Sequence, residues 1–170
     1  NLLDLSVIKK TTWEKAVLKP AISGGSYRTT LFDRENWPQI EADYLEFAQE
    51  NDLLLQCFLP EILSAGEISL IYFNRKFSHA VVKTPKEGDF RIQSQFGGHY
   101  AIYNPDAELL QTAGKIIACF EGELLYARID GVLHDNQFLL MEVEQIEPDL
   151  YFYLHESAKN TFVEAILELL

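Results

Sequence analysis

The chain has 170 residues and a formal net charge of −12; 48% of its residues are hydrophobic and 24% are charged. This composition is that of an ordinary globular protein, long enough for one domain or two small lobes. The acidic balance, without a basic run or an Arg/Lys stripe, argues against nucleic acid or an anionic membrane as the main partner.

No apolar run approaches the ~20 residues of a membrane span, and the N-terminus lacks the basic and apolar segments of a signal peptide. Cys57 and Cys119 lie in apolar segments without CxxC spacing. We interpret both as reduced core residues of a cytoplasmic protein. Because the chain starts at Asn1 and not at Met, we expect a fragment or a processed piece of a longer protein.

The first part of the chain predicts a strand hairpin. A short helix is expected over Leu2–Lys10, followed by strands over Trp13–Lys19 and Tyr27–Phe32. The loop Ser23-Gly24-Gly25-Ser26 joins the two strands. Its backbone N–H groups can fold over phosphates, with Lys19 beside them as a point charge. The alternative is a Gly-Gly hairpin without a ligand.

A helix and an apolar strand follow the hairpin. Asn36 is placed to cap a helix over residues 37–51, where apolar residues keep helical spacing. The run Leu53–Leu59 predicts a strand buried on both faces. Gln56, its polar exception, either contacts the polar edge of a ligand or is a core glutamine with satisfied hydrogen bonds.

A second lobe is predicted from residue 62, and it opens with an antiparallel hairpin. The two strands are expected over Glu67–Phe73 and Phe77–Lys83. Strict alternation places Phe77, His79 and Lys83 on one face of the hairpin. A lone histidine at such a position is more often structural than catalytic.

A polar loop and two helices belong to the same lobe. Residues Phe90–Gly98 combine an arginine, amide side chains and a glycine pair, which predicts an extended or mobile loop that donates hydrogen bonds to an anion. Asn104 and Pro105 are placed as the cap and first residue of a helix. A last helix is expected over Ser157–Leu170. The stripe that the first of these helices should bury is Leu109, Leu110, Ala113, Ile116, Ile117 and Phe120.

The segment Tyr126–Pro148 carries the strongest chemical pattern, because it predicts two strands joined by a polar turn. Alternation puts Arg128 and Asp130 on one face of the first strand. If the turn keeps the faces in register, Asp130 lies opposite Glu142, and Arg128 lies opposite Glu144. Three carboxylates and one guanidinium then share one patch of the sheet.

Neighbouring carboxylates repel one another unless a cation compensates their charge. Hard oxygen ligands in this arrangement suit magnesium or manganese. The alternative is a solvated antiparallel face that holds no metal. The opposite face of the second strand, with Leu139, Met141 and Val143, is expected to be core.

The order of elements predicts an α+β fold: two lobes of antiparallel sheet with flanking helices. We place the smaller lobe at residues 1–61 and the larger lobe, with the metal site, at residues 62–170.

Five ordered segments, spread over most of the chain, resemble those of ATP-grasp enzymes, in particular the group similar to bacterial glutathione synthetase and the ribosomal-protein glutamate ligase. The segments are Lys19–Gly25, similar to a KPxxS-Gly segment; Gln56–Glu61, similar to the strand that holds adenine and ribose; Gly66–Val81, similar to the hairpin that follows it; Asp89–Gly98, similar to the DFR…GG loop; and Ala127–Asp130 with Met141–Glu144, similar to the ARxD and ExE pair that holds magnesium.

The resemblance implies an ATP-grasp fold without the N-terminal lobe of the enzyme, and a carboxylate–amine or carboxylate–thiol ligase activity through an acyl phosphate. Its implied partners are ATP, a small carboxylic acid, and an amine or thiol acceptor. Arg91 and Arg128 would stabilise the transferring phosphoryl group. The implied nucleotide contacts are Lys19, Ser23, Gly24, Gly25, Gln56, Phe58, Leu59, Glu61 and Lys83. The implied ligands of magnesium, or alternatively manganese, are Asp130, Glu142 and Glu144.

Two features depart from this family. Many relatives have Asn where this chain has Glu144, and we find no N-terminal lobe that would help bind the acceptor. The alternative function is therefore a non-catalytic nucleotide-binding or interaction module.

Overall fold

A computed structural model describes residues 11–22 and 24–170. The chain divides into two compact units, Asn1–Leu59 (the first unit) and Pro60–Leu170 (the second unit). The helix expected over Leu2–Lys10 and the loop residue Ser23 lie outside the described residues. None of the helices in the described part of the chain is long and apolar enough to cross a membrane.

The first unit has a three-stranded antiparallel sheet with strand order β2-β1-β3. Its elements are β1 (Lys15–Pro20), β2 (Thr30–Asp33), α1 (Trp37–Phe47) and β3 (Leu53–Cys57). Trp37 and Tyr44 of α1 pack with Leu18 and Phe32 of the sheet to form the core of this unit. The predicted hairpin of the first two strands is confirmed, although the second strand is shorter than expected.

The expectation that β3 is buried on both faces is wrong. Leu53 and Leu55 pack against the core beneath α1, whereas Leu54, which points to the other face, is 48% exposed. The run is continuously apolar in sequence, yet only one of its faces is covered.

Asn36 does not cap α1 with its side chain, contrary to expectation. Its Oδ1 accepts a hydrogen bond from the Asp33 backbone N–H at 2.9 Å, and Asp33 Oδ1 accepts one from the Asn36 N–H at 3.0 Å. The two side chains therefore stabilise the turn before the helix, not the helix end.

The second unit has a five-stranded antiparallel sheet with strand order β6-β5-β4-β7-β8. Its elements are α2 (Glu61–Ser64), β4 (Glu67–Phe73), β5 (Lys76–Thr84), a 3₁₀ turn (Ser94–Phe96), β6 (His99–Tyr103), α3 (Ala107–Ala118), β7 (Tyr126–His134), β8 (Gln137–Glu144) and α4 (Ala158–Glu168). The described residues thus form two antiparallel sheets with flanking helices, which confirms the predicted fold class.

Helices cover both faces of this second sheet. The predicted stripe of α3 is confirmed, since Leu109, Ala113 and Ile117 are buried against one face. On the other face, α4 and the segment 150–154 pack around Phe73.

A β-bulge in β5 makes the predicted face of Phe77 wrong. Ile71 pairs with His79 and Tyr72 pairs with Phe77, so Ser78 is an extra residue in β5. Phe77 therefore points to the face of Tyr72, whose ring centroid lies 5.7 Å from its own, and not to the face of His79.

A second register shift, between Asp130 and Gly131, makes Met141 an extra residue in β8. The expected core face of Leu139, Met141 and Val143 is consequently not formed. Val143 packs against the α3 core, but Leu139 and Met141 are only partly buried in this edge strand.

Helix α3 begins later than predicted. Its cap is Asp106, whose Oδ1 accepts the Leu109 backbone N–H at 2.8 Å, and not Asn104. Cys119, expected in the core, is exposed because it lies just past the last turn of α3.

Candidate functional site

Strands β7 and β8 bring the predicted carboxylates together. Arg128 pairs with Glu144, and Asp130 pairs with Glu142, so the predicted register is confirmed. The turn between the strands has positive φ at its two central residues, Asp135 and Asn136, as the tightest hairpins require.

Asp130, Glu142 and Glu144, the carboxylate cluster, each offer one oxygen, and these oxygens all lie within 4.8 Å of one another. Asp130 is fully buried, whereas Glu142 and Glu144 are partly exposed. Partial burial and the charges of Asp130 and Glu144 raise the pKa of Glu142. A hard, oxygen-only donor set whose charges repel one another fits magnesium or manganese.

Arg128 lies within this cluster. Its Nη2 is 2.8 Å from Asp130 Oδ2, 2.6 Å from Glu144 Oε1 and 3.9 Å from Glu142 Oε1. Its Nε donates to both oxygens of Asp130, at 3.1 and 2.9 Å. Burial opposes the charge on Arg128, but the carboxylates outweigh this effect and raise the pKa of the guanidinium.

Two further polar residues, Ser69 and Lys83, reach Asp130 from β4 and β5. Ser69 Oγ donates to Asp130 Oδ1, and Lys83 Nζ lies 3.4 Å from the same oxygen. Lys83 Nζ also forms an ion pair of 2.5 Å with Glu67. Although burial works against ionisation, Lys83 and Arg128 keep the pKa of Asp130 below its ordinary value. Lys83 is 4% exposed, so its ammonium is committed to two buried carboxylates.

Sequence reasoning missed the contributions of Glu67, Ser69 and Tyr151. Glu67 and Ser69 could have been identified from the sequence, because alternation along β4 puts them on the face that bears Asp130. Tyr151 could not be identified in this way. Its ring lies 5.7 Å from the Arg128 guanidinium, and it comes from an irregular segment where it adopts a positive φ of 51°.

The loop Asp89–Gly98 is folded around Arg91. Arg91 Nε and Nη2 donate to the two oxygens of Asp89 at 3.1 and 2.7 Å, and its guanidinium stacks on Phe96 at 3.8 Å. A Cβ on Gly98 would lie only 1.9 Å from the Ile92 carbonyl oxygen, so the close return of the chain requires glycine. The loop is therefore folded back on itself and not extended; its mobility, the other expectation, stays a prediction.

Glu61 is the first residue of α2, and its Oε1 lies 2.7 Å from His134 Nδ1. Its own backbone N–H and His134 lower the pKa of Glu61, and this carboxylate raises the pKa of His134. The second oxygen, Oε2, is buried and has no hydrogen-bond partner among the described residues.

The remaining nucleotide contacts expected from the sequence lie in the first unit. Lys19 is partly buried in β1, and Gly24 and Gly25 are exposed in the turn before β2. Gln56 lies in β3 opposite Val17 of β1. Phe58 and Leu59 follow β3 directly. That these residues bind a nucleotide stays a prediction.

No protein-family model matches the chain, and no curated protein is significantly similar to it in sequence. Solved structures do share its fold. D-cycloserine synthetase DcsG matches 96% of the chain with a TM-score of 0.78 and 19% identity. D-alanine–D-alanine ligase from Bacillus anthracis matches 98% of the chain with a TM-score of 0.68 and 19% identity. The ATP-grasp ligase PsnB, solved with a phosphomimetic variant of its minimal precursor, Mg and ADP, matches 95% with a TM-score of 0.67 and 15% identity.

The chain spans about half of the length of each of these proteins. The chain covers 58% of DcsG, 57% of the D-alanine–D-alanine ligase and 50% of PsnB. At these identities the likeness is one of fold.

Proposed function

We propose that this chain, which has the ATP-grasp fold, is the ATP- and magnesium-binding portion of a ligase that joins a carboxylic acid to an amine or a thiol through an acyl phosphate. The observation that supports this proposal most directly is the carboxylate cluster. Its three oxygen donors come from two adjacent strands and lie close enough to share one cation.

In this proposal Asp130, Glu142 and Glu144 would hold magnesium, which when bound neutralises charge on the phosphates of ATP. Arg128 and Arg91 would bind the transferring phosphoryl group, because a guanidinium offers several N–H donors in a fixed plane. Each guanidinium donates hydrogen bonds to carboxylates, Arg128 to Glu144 of the cluster and Arg91 to Asp89.

The proposed nucleotide contacts are those expected from the sequence. Glu61 would accept a hydrogen bond from a ribose hydroxyl. Lys83 would act on the nucleotide only indirectly, since its ammonium binds Glu67 and Asp130. The contacts proposed in the first unit are Lys19, Ser23, Gly24, Gly25, Gln56, Phe58 and Leu59.

Calorimetric titration with MgATP tests the proposal. We expect saturable binding that the double substitution D130N/E142Q abolishes, because two of the three carboxylate charges are lost. The matched control is E156Q/E164Q, which removes two exposed carboxylates from the region of α4. Unchanged MgATP binding by D130N/E142Q would count decisively against the proposed metal site and against the ligase assignment.

A non-catalytic nucleotide-binding module is the second candidate, and the position of Arg128 favours it. The guanidinium already neutralises part of the cluster, which leaves less negative charge to attract a divalent cation. A longer protein that contains this chain should be offered ATP with mixtures of carboxylic acids and amines. ADP formation that depends on an acceptor supports the ligase, whereas MgATP binding without turnover over a broad panel supports the module.

A further inference from the structure

Arg128 Nη2 lies next to all three members of the carboxylate cluster. It lies between 2.6 and 3.9 Å from one oxygen of each of the three carboxylates. A divalent cation bound by these carboxylates would lie close to the guanidinium, so the two positive charges would repel each other and compete for the same carboxylates.

The side chains around Asp130 carry more negative than positive charge. Four carboxylates, those of the cluster and Glu67, face two cationic groups, Arg128 and Lys83. When all four are ionised, two negative charges remain uncompensated in this partly buried region of the sheet. A divalent cation would balance them, but it would have to share these carboxylates with Arg128.

Arg128 has attachments that do not involve these carboxylates. Its Nη1 donates to the Asp149 carbonyl oxygen at 3.2 Å, and its guanidinium lies 5.7 Å from the centre of the Tyr151 ring. Arg128 can therefore release Glu144 and still remain tethered beside the cluster.

We infer that Arg128 is an exchangeable counter-cation: it neutralises the carboxylate cluster until a divalent cation displaces it, and only then is its guanidinium available to an anionic ligand. This rests on the proposed function, since the anionic ligand would be the phosphate of the bound nucleotide. Arg128 should therefore bind phosphate only when a divalent cation occupies the carboxylate cluster.

The test measures Mn²⁺ affinity in nucleotide-free protein from the electron paramagnetic resonance signal of the free ion. R128M should bind Mn²⁺ about tenfold or more tightly than the wild type, because a competing positive charge about 4 Å away is removed. The control K115M removes one positive charge from an exposed position on α3 and should leave the affinity unchanged. Equal or weaker binding by R128M, or no Mn²⁺ binding by either protein at millimolar concentration, overturns the inference.

A second measurement on the wild type covers the case in which R128M does not fold. The Nε–Hε NMR signal of Arg128 should shift as Mg²⁺ is added, because its hydrogen bonds to Asp130 change. The signal of Arg75, which binds backbone carbonyls near the end of α3, should not shift. An Arg128 signal that stays in place at saturating Mg²⁺ overturns the inference. MgATP binding, measured separately, decides the proposed function, which survives if only the exchange fails.

Discussion

Lys76 and Lys83 lie near opposite ends of β5, and each pairs with one glutamate. The Lys76–Glu168 pair is exposed, with side-chain accessibilities of 71% and 47%. The Lys83–Glu67 pair is buried, with 5% and 9%. Removing one partner of a buried pair lowers the free energy of unfolding more than removing one partner of an exposed pair. The reason is that the remaining buried charge has neither water nor a counter-ion.

We expect K83M to lower the free energy of unfolding by about 3–5 kcal/mol, since Glu67 would be left as an unpaired buried charge. K76M should have a much smaller effect, because water screens the exposed pair. Urea unfolding monitored by circular dichroism measures both. The double variant E67L/K83M should recover much of the loss, and equal losses for K83M and K76M would show that Glu67 is not buried as described.

The contact between His134 and Glu61 changes the pKa of both residues, so a pH titration can detect it. Glu61 raises the pKa of His134 above its ordinary 6.5, and His134 helps to lower the pKa of Glu61 below 4.5. The stabilisation by the pair is therefore lost as pH rises through the raised value of His134. It is also lost as pH falls through the lowered value of Glu61.

An NMR titration of the His134 ring checks this sign. In E61Q the midpoint should fall toward 6.5, because the carboxylate charge and its charge-assisted hydrogen bond are gone. D135N is the matched control, since the exposed Asp135 carboxylate lies 3.7 Å from the other ring nitrogen and should matter less. A midpoint that E61Q leaves unmoved would contradict the contact.

At the scale of elements, the sequence predicts those features that local periodicity determines. Alternation predicted which side chains of β7 and β8 share a face, but the two-residue turn alone would place Asp130 opposite Met141. The pairing of Asp130 with Glu142 therefore depends on the bulge at Met141. The extra residues Ser78 and Met141 were not predictable, since a bulge depends on the partner strand and leaves no local signal. Strand β6 was missed for a related reason, as it is short and is set by its pairing with β5.

Gly131 shows how the bulge in the β7–β8 pair supports the site. A Cβ at this position would lie 2.4 Å from the Phe138 ring and 2.5 Å from the Leu139 carbonyl oxygen. The neighbouring strand therefore approaches β7 more closely than any side chain at Gly131 would allow. This close approach lies directly beside the pair of Asp130 and Glu142.

We expect G131A to destabilise the protein by about 1–3 kcal/mol, as overpacking does, and to weaken Mn²⁺ binding by shifting Glu142 away from Asp130. The control is G114A on α3, where a Cβ meets nothing within 4 Å and should stabilise the helix by about 0.5–1 kcal/mol. Thermal unfolding and Mn²⁺ titration of both variants measure the effects. A G131A protein with wild-type stability and affinity would refute this role of the bulge.

For the whole molecule, the resemblance in five weak segments and the shared fold agree, although sequence identity to the matched structures is at most 19%. The carboxylate cluster could be predicted because its members are close in sequence. The buried neighbours Lys83 and Glu67 depend on contacts across three strands, which periodicity alone does not specify.

The second unit contains all that the proposed metal site requires. It holds two separate hydrophobic clusters, one on each face of its sheet, and every residue of the carboxylate cluster with Arg128. Its length falls within the usual range of about 50–250 residues for a domain with its own core.

We therefore expect a protein of residues 60–170 alone to unfold cooperatively in urea and to bind Mn²⁺ with the affinity of the full chain. The reason is that Asp130, Glu142 and Glu144 are positioned by β7 and β8, and these strands are held by β4 and the α3 core within this unit. D130N in the same fragment is the control and should lose the ion while the fragment stays folded, since Lys83 keeps its pair with Glu67. A fragment that folds yet has lost Mn²⁺ binding would show that the site needs residues outside the unit, and a fragment without a cooperative transition would show that its two clusters are not a sufficient core.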